Sequence, residues 1–168
     1  MMLEVAIDAD PEWDSSSRWT ALVRTAAEAA IAESAFPQLS IGSRAVELSV
    51  RLTGDEEVRA LNSQWRGQDK ATNVLSFPQM APGELESVGD SGPELMLGDV
   101  VLAHGVCERE AQKQAIPLED HAAHLIVHGT LHLLGYDHGD DAKAEEMERR
   151  EVSALRWLGI ADPYGRGH

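Results

Sequence analysis

The chain has 168 residues, of which 43% are hydrophobic and 26% are charged, and its formal net charge is −15. This composition is typical of a globular protein with a single domain, and no apolar run approaches the roughly 20 residues that a membrane helix needs. The only cysteine, Cys107, excludes an internal disulfide and a zinc site built on cysteines. Because the N-terminus also lacks the basic and apolar regions of a signal peptide, we expect a cytoplasmic protein.

Hydrophobic periodicity and turn residues predict alternating strands and helices. In chain order we predict a strand over 3–9, a helix over about 18–34 capped by serines 15–17, a strand over 46–52, a short helix from about 55 to 65, a strand over 73–77, a long surface loop over 79–94, a strand over 95–103, and helices over about 106–115, 118–134 and 142–158. Gly98 in the fourth strand marks a bulge or a close approach of two backbones. Four strands and about five helices predict a single α+β domain in which the helices pack on a small mixed sheet.

The negative charge is unevenly distributed along these elements. Residues 1–35 carry two basic and seven acidic side chains and residues 82–120 carry two and nine, whereas residues 36–78 carry five of each. Contacts with phosphate need lysine and arginine, so the overall charge argues against a general nucleic-acid-binding protein. A polyanion would approach through residues 36–78.

The most informative segment is HGTLHLLGYDH, which begins at His128 and ends at His138. If the segment is helical as far as Leu134, His128 and His132 lie one turn apart on the same face. Gly135 can adopt the left-handed conformation that ends a helix, and the chain then returns His138 to the same point. Three imidazoles around an open fourth position are typical of a catalytic zinc site. We therefore predict one Zn²⁺ per chain, bound by His128, His132 and His138.

His124 is a competing ligand, because it forms an i, i+4, i+8 stripe with His128 and His132. Three side chains spread over two turns of one straight helix do not easily reach an ion about 2 Å from each of them. His138 is the better third ligand. His124 is expected either to support a liganding histidine or to face the substrate.

The spacing of the three histidines also occurs in one class of zinc proteases. Those enzymes need a glutamate directly after the first histidine as the general base. Gly129 occupies that position here and cannot accept a proton. Peptide hydrolysis by that mechanism is therefore not expected.

The histidine segment closely resembles the signature of the YbeY family, bacterial endoribonucleases of ribosomal RNA maturation. The resemblance extends from about residue 46 to residue 159, and two further segments carry it: residues 61–78, which read LNSQWRGQDKATNVLSFP, and residues 97–102, which read LGDVVL. It implies a single-domain α+β fold, a zinc ion held by His128, His132 and His138, and single-stranded RNA as the substrate.

Carried over to matching positions, the resemblance makes Arg66 the basic residue implicated in RNA cleavage and counts His128 among the residues needed for activity. A guanidinium is permanently charged and bidentate, so it suits the negative charge that builds up on phosphate oxygens during cleavage. Arg59 and Lys70 are predicted to add phosphate contacts, and His124 is a further candidate for substrate binding. Trp65 either stacks on a base or belongs to the core.

The sequence supports two main functional hypotheses. In the first, residues 1–168 form one metal-dependent endoribonuclease domain that is specific for single-stranded RNA and acts in ribosomal RNA processing and ribosome quality control. Its partners would be ribosomal RNA, the small ribosomal subunit and assembly factors, with no role for a membrane. In the second, the protein is a ribosome-assembly factor with a mainly structural metal and marginal nuclease activity. A metal-dependent hydrolase of a small molecule is a third possibility.

Overall fold

A computed structural model describes residues 3–13, 17–42, 44–81, 83–89 and 92–164. Within these ranges the strands are β1 (Leu3–Ala9), β2 (Val46–Thr53), β3 (Val74–Pro78) and β4 (Leu95–Ala103), and the α-helices are α1 (Ser17–Ala32), α2 (Gln38–Ile41), α3 (Asp55–Arg66), α4 (His104–Gln114), α5 (Leu118–Leu133) and α6 (Asp141–Trp157). The predicted α+β class, the four strands and the five longer helices are confirmed. Serines 15 and 16 of the predicted N-cap lie outside the described residues.

Besides a turn of 3₁₀-helix at Pro11–Trp13, two short elements differ from the prediction. The helix α2 has four residues, which is too short to show a helical period in the sequence. The predicted loop over 79–94 contains a turn of 3₁₀-helix at Glu84–Ser87, and Leu85 in that turn is buried against the core. The loop is therefore anchored to the domain by an apolar side chain.

The four strands form one mixed sheet in the order β1-β2-β4-β3. The strands β1, β2 and β4 run parallel, and β3 pairs antiparallel with β4 at the edge. Gly98 interrupts the regular pairing: the register of β2 against β4 shifts opposite it, and its φ angle is 138°. A Cβ atom at this position would collide with the carbonyl oxygen of Phe77. This explains the glycine in β4, as the sequence predicted.

The helix α5 is the centre of the domain. It packs against α1, α4, α6, β3 and β4, and most of its residues between Ala122 and Leu133 are buried. The main apolar cluster joins α5 to one face of the sheet. The helix α3 covers part of the other face, where its Val58 packs with Leu75 of β3 and Val101 of β4. Side chains on α5 therefore project from a helix that is held on several sides. No helix in the described ranges is long and apolar enough to cross a membrane.

Candidate metal centre

The end of α5 brings three histidines together. Gly135 has a φ of 100°, and the Tyr136 N–H donates to the Leu131 carbonyl at 3.1 Å, which is the bond that closes a left-handed helix end. Behind this turn, His138 returns to His128 and His132. The ring of His128 lies 4.7 Å from that of His132 and 5.2 Å from that of His138, centroid to centroid. One ring nitrogen of each histidine lies within 4.8 Å of the others, so the group can hold a metal ion.

The protonation of His132 fits a metal ion. Burial, followed by the neighbouring His128 and His138, lowers the pKa of His132 to about 4. The imidazole of His132 is therefore neutral at neutral pH and keeps a lone pair for coordination. A neutral imidazole is a donor suited to a divalent transition-metal ion.

A buried carboxylate orients the first of the three histidines. Glu151 of α6 is 0% exposed, and its Oε2 atom lies 2.9 Å from Nδ1 of His128. Burial raises the pKa of Glu151, but hydrogen bonds from His124 and His128 outweigh it and hold the pKa at about 2. An ionised carboxylate only accepts hydrogen bonds. His128 therefore carries its proton on Nδ1, and its Nε2 atom is free to bind a metal.

His124 does not join the three histidines. Its Nε2 atom lies 2.8 Å from Oε1 of Glu151 and 3.3 Å from the hydroxyl of Tyr164. Of the two roles left open for His124, this placement favours the support of a liganding histidine.

A cleft of about 360 Å³ adjoins the histidines. Arg66 and Lys70 line it together with His128 and His132, and both cationic residues are exposed. They are carried by the end of α3 and the loop behind it. Asn62, which is buried, holds that loop because its Nδ2 donates to the Lys70 carbonyl at 2.9 Å. The fold therefore places two positive side chains beside the candidate metal centre.

Two other predicted residues lie outside this cleft. Nε of Arg59 donates to Oδ1 of Asp69 at 2.8 Å, and Arg59 does not line the cleft. Trp65 is 64% exposed, so of the two roles left open for it, the one in the core does not hold. It lines a larger cavity of about 700 Å³ on the other face of the sheet, together with Phe77 and Asp99. That cavity is lined by none of the histidines.

Sequence reasoning missed Glu151, Tyr164 and Asn62. For Glu151 a signal was present, because the buried positions of α6 are Met147, Glu151, Ala154 and Leu155. A glutamate in an apolar i, i+4, i+7, i+8 stripe is unusual, since acidic residues are rarely fully buried without a partner. Tyr164 follows the last helix and shows no such pattern.

Comparison with known proteins gives a consistent result. Residues 8–159 match the sequence model of the family described as "Endoribonuclease YbeY". The chain is 49% identical to Endoribonuclease YbeY of Rhizorhabdus wittichii over 97% of each chain. It is 51% identical to Endoribonuclease YbeY of Novosphingobium aromaticivorans over 94% of this chain and 93% of that protein. The solution structure of TM1509 from Thermotoga maritima shares the fold, with a TM-score of 0.56 and 24% identity over 97% of this chain and 100% of the other.

Proposed function

Since the chain belongs to the endoribonuclease YbeY family, we propose that it is a zinc-dependent endoribonuclease specific for single-stranded RNA, acting in ribosomal RNA processing and ribosome quality control. The observation that carries the proposal is the cleft in which Arg66 and Lys70 lie beside His128 and His132. Its place of action would be the cytoplasm, with ribosomal RNA, the small ribosomal subunit and assembly factors as partners.

His128, His132 and His138 would hold the zinc ion. When bound, the ion would supply Lewis acidity and would lower the pKa of water to about 7. The contribution of the protein is to keep two of the three nitrogens available: Glu151 holds the proton of His128 on Nδ1, and burial keeps His132 neutral. His128 is needed for activity in this proposal because it is a ligand.

Arg66 is the proposed catalytic cation. Cleavage of a phosphodiester concentrates negative charge on the phosphate oxygens, and a guanidinium at the cleft stabilises that charge through two hydrogen bonds at once. Lys70 would bind a phosphate as a point charge. Arg59 lies two helical turns before Arg66 and would contact RNA further along, in competition with its partner Asp69. We assign His124 to the support of Glu151 and not to the substrate.

The size of the cleft supports the preference for single strands. At about 360 Å³ it falls at the small end of the range for ligand pockets, about 300 to 1,000 Å³. A single nucleotide splayed out of a strand suits such a cleft, whereas a paired base stays stacked within the duplex. His128 lies within it with 20% of its side chain exposed.

The test is RNA cleavage by zinc-loaded protein, with a single-stranded substrate and its duplex compared. We expect Arg66→Ala to lower the cleavage rate about 10²–10³-fold, which is the usual loss when one donor to a developing anion is removed. Arg66→Lys should recover only part of it, and His132→Ala should abolish both zinc binding and cleavage. Arg149→Ala, which removes an exposed arginine of α6 outside the cleft, is the control.

If Arg66→Ala and His132→Ala cleave at the rate of the unaltered protein, the nuclease in the preparation is a contaminant and the proposal fails.

A second function, that of a ribosome-assembly factor with a structural metal, is favoured by one observation. His138 follows the turn at Gly135, so a metal bound to it would tie that turn to α5. Normal maturation of the small subunit in cells that carry only Arg66→Ala, despite lost cleavage, would select this second function.

A further inference from the structure

We propose that Tyr164 and His124 are positioning residues that fix the Glu151 carboxylate and, through it, the ring of the metal ligand His128. The segment that follows α6 would then be part of the metal centre and would set its affinity for zinc. This inference rests on the metal site of the proposed function and assigns residues that lie outside the ligand set.

Glu151 is fully buried on the apolar stripe of α6, between Met147 and Ala154. A buried carboxylate is costly unless its oxygens accept hydrogen bonds. Three donors meet this need: His128 Nδ1 on Oε2 at 2.9 Å, and His124 Nε2 and the Tyr164 hydroxyl on Oε1 at 2.8 Å and 2.6 Å.

The two carboxylate oxygens of Glu151 accept from different kinds of residue. Oε2 accepts from the metal ligand His128, whereas Oε1 accepts from His124 and Tyr164, which are not ligands. Because a carboxylate is planar and rigid, the two bonds on Oε1 determine where Oε2 lies. The ring of Tyr164 also packs edge-on against His124, with centroids 5.6 Å apart. His124 and Tyr164 therefore contact each other and together hold the Glu151 carboxylate in place.

The chain reaches Tyr164 by turning back after α6. The helix ends at Trp157, and Gly159, with a φ of 74°, reverses the direction of the chain. The Ile160 N–H donates to the Leu155 carbonyl at 3.0 Å, and Asp162 accepts from the Tyr164 N–H at 2.7 Å. This segment is folded against the domain and delivers one hydroxyl to a buried acceptor.

The experiment measures the dissociation constant for Zn²⁺ by competition with a chromophoric chelator. Carboxylates that orient a liganding histidine typically contribute about 10–100-fold to metal affinity. We expect Glu151→Gln to weaken zinc binding by an amount in this range and Tyr164→Phe to weaken it about tenfold. Glu145→Gln is the matched control, because it makes the same change from carboxylate to amide at an exposed position of α6.

A double-mutant cycle gives the sharper result. If Tyr164 acts through Glu151, Tyr164→Phe should cause little further loss of zinc affinity once Glu151→Gln is present. A second readout is the ¹⁵N NMR spectrum of the metal-free protein, in which Tyr164→Phe should reduce the fraction of His128 with its proton on Nδ1. Neither readout depends on cleavage of RNA.

Unchanged zinc affinity in Tyr164→Phe, or losses that add in the double variant, would overturn the inference. A variant that only destabilises the fold is recognised by a lower melting temperature of the metal-free protein with normal zinc affinity in the cold, and this result also counts against it. Failure of the metal site itself is distinct, because the unaltered protein would then bind zinc no better than His132→Ala does.

Discussion

Gly129 directly follows His128, the first candidate metal ligand, and a side chain at this position would face Val100 of the sheet. A Cβ atom at this position would lie 2.8 Å from Cγ1 of Val100 in β4 and 3.2 Å from its Cγ2. The residue that supplies the general base in some zinc proteases is therefore replaced here by a contact between α5 and the sheet. The sequence correctly predicts the lack of a base, and the structure adds that there is no room for one.

This contact leads to the first prediction. Gly129→Ala gains about 1 kcal/mol of helix propensity but forces a methyl group against a stiff, fully buried valine, and overpacking typically costs about 1–3 kcal/mol. We expect the free energy of unfolding, measured by urea denaturation, to fall by about 1 kcal/mol. In a Val100→Ala background the same substitution should be neutral or stabilising. An equal loss in both backgrounds would show that the close contact is not the cause.

That the three histidines come together was predictable because their signal is local. His128 and His132 are one turn apart, and Gly135 explains the return to His138. Glu151 lies 23 residues from His128 along the chain, so no spacing rule connects the two. The histidine stripe illustrates the same limit: the spacing makes His124 resemble a ligand, and only its contact with Glu151 shows where its ring nitrogen points.

At the scale of elements, the end of α3 determines where Arg66 lies. Gly67 caps the helix in the left-handed conformation with a φ of 68°, and its N–H donates to the Ser63 carbonyl at 3.2 Å. A Cβ atom at Gly67 would meet nothing within 4 Å. The glycine is therefore required for its backbone conformation and not for space.

The second prediction concerns Gly67, where the backbone conformation and not the available space requires a glycine. Gly67→Ala should lower the free energy of unfolding by about 1–2 kcal/mol, the cost of placing an ordinary residue in the left-handed region. Gly67→Asn should cost clearly less, because asparagine tolerates this region. Chemical denaturation of the two variants checks the order. Equal losses would indicate a steric cause that the structure does not contain.

The elements themselves were largely predictable from periodicity. The strands β1 and β2 alternate apolar and polar residues and were placed to within one residue. The helix α2 was missed because four residues carry no period. Trp65 was ambiguous because an apolar residue at a helix end fits both the core and the surface, and the side of α3 that faces β4 is decided by packing.

At the scale of the whole molecule, metal binding should stabilise the fold. A ligand that binds only the native state adds about 4 kcal/mol when its concentration is 1,000 times the dissociation constant. For a protein of this size, 1 kcal/mol corresponds to roughly 2–4 °C in melting temperature. We therefore expect excess Zn²⁺ to raise the melting temperature by about 10 °C in a thermal-shift assay. His132→Ala should show no such rise, and an equal rise in that variant would mean that zinc acts elsewhere on the protein.

The protein has a net charge of −15, so few surfaces can bind RNA. The dependence of RNA binding on salt reports how many cations contact phosphates, and therefore tests which surface binds. Each phosphate of a single strand that a cation neutralises contributes about −0.7 to the slope of log K against log salt. If RNA binds through Arg66 and Lys70 in the cleft, the slope should be about −1.4, and Arg66→Ala should reduce it to about −0.7. Arg59→Ala should change it less, because Asp69 already pairs with that guanidinium.

These slopes are to be measured with single-stranded RNA and zinc-loaded protein by fluorescence anisotropy between about 50 and 200 mM salt, where such effects are large. A slope much steeper than −1.4 that Arg66→Ala leaves unchanged would place RNA on another surface. Binding at another surface would require several lysine or arginine side chains that are not already paired with carboxylates. Arg51, for example, is already bonded to Asp8, Asp10 and Glu57. The predicted slopes would therefore assign RNA binding to the cleft that Arg66 and Lys70 line together with His128 and His132.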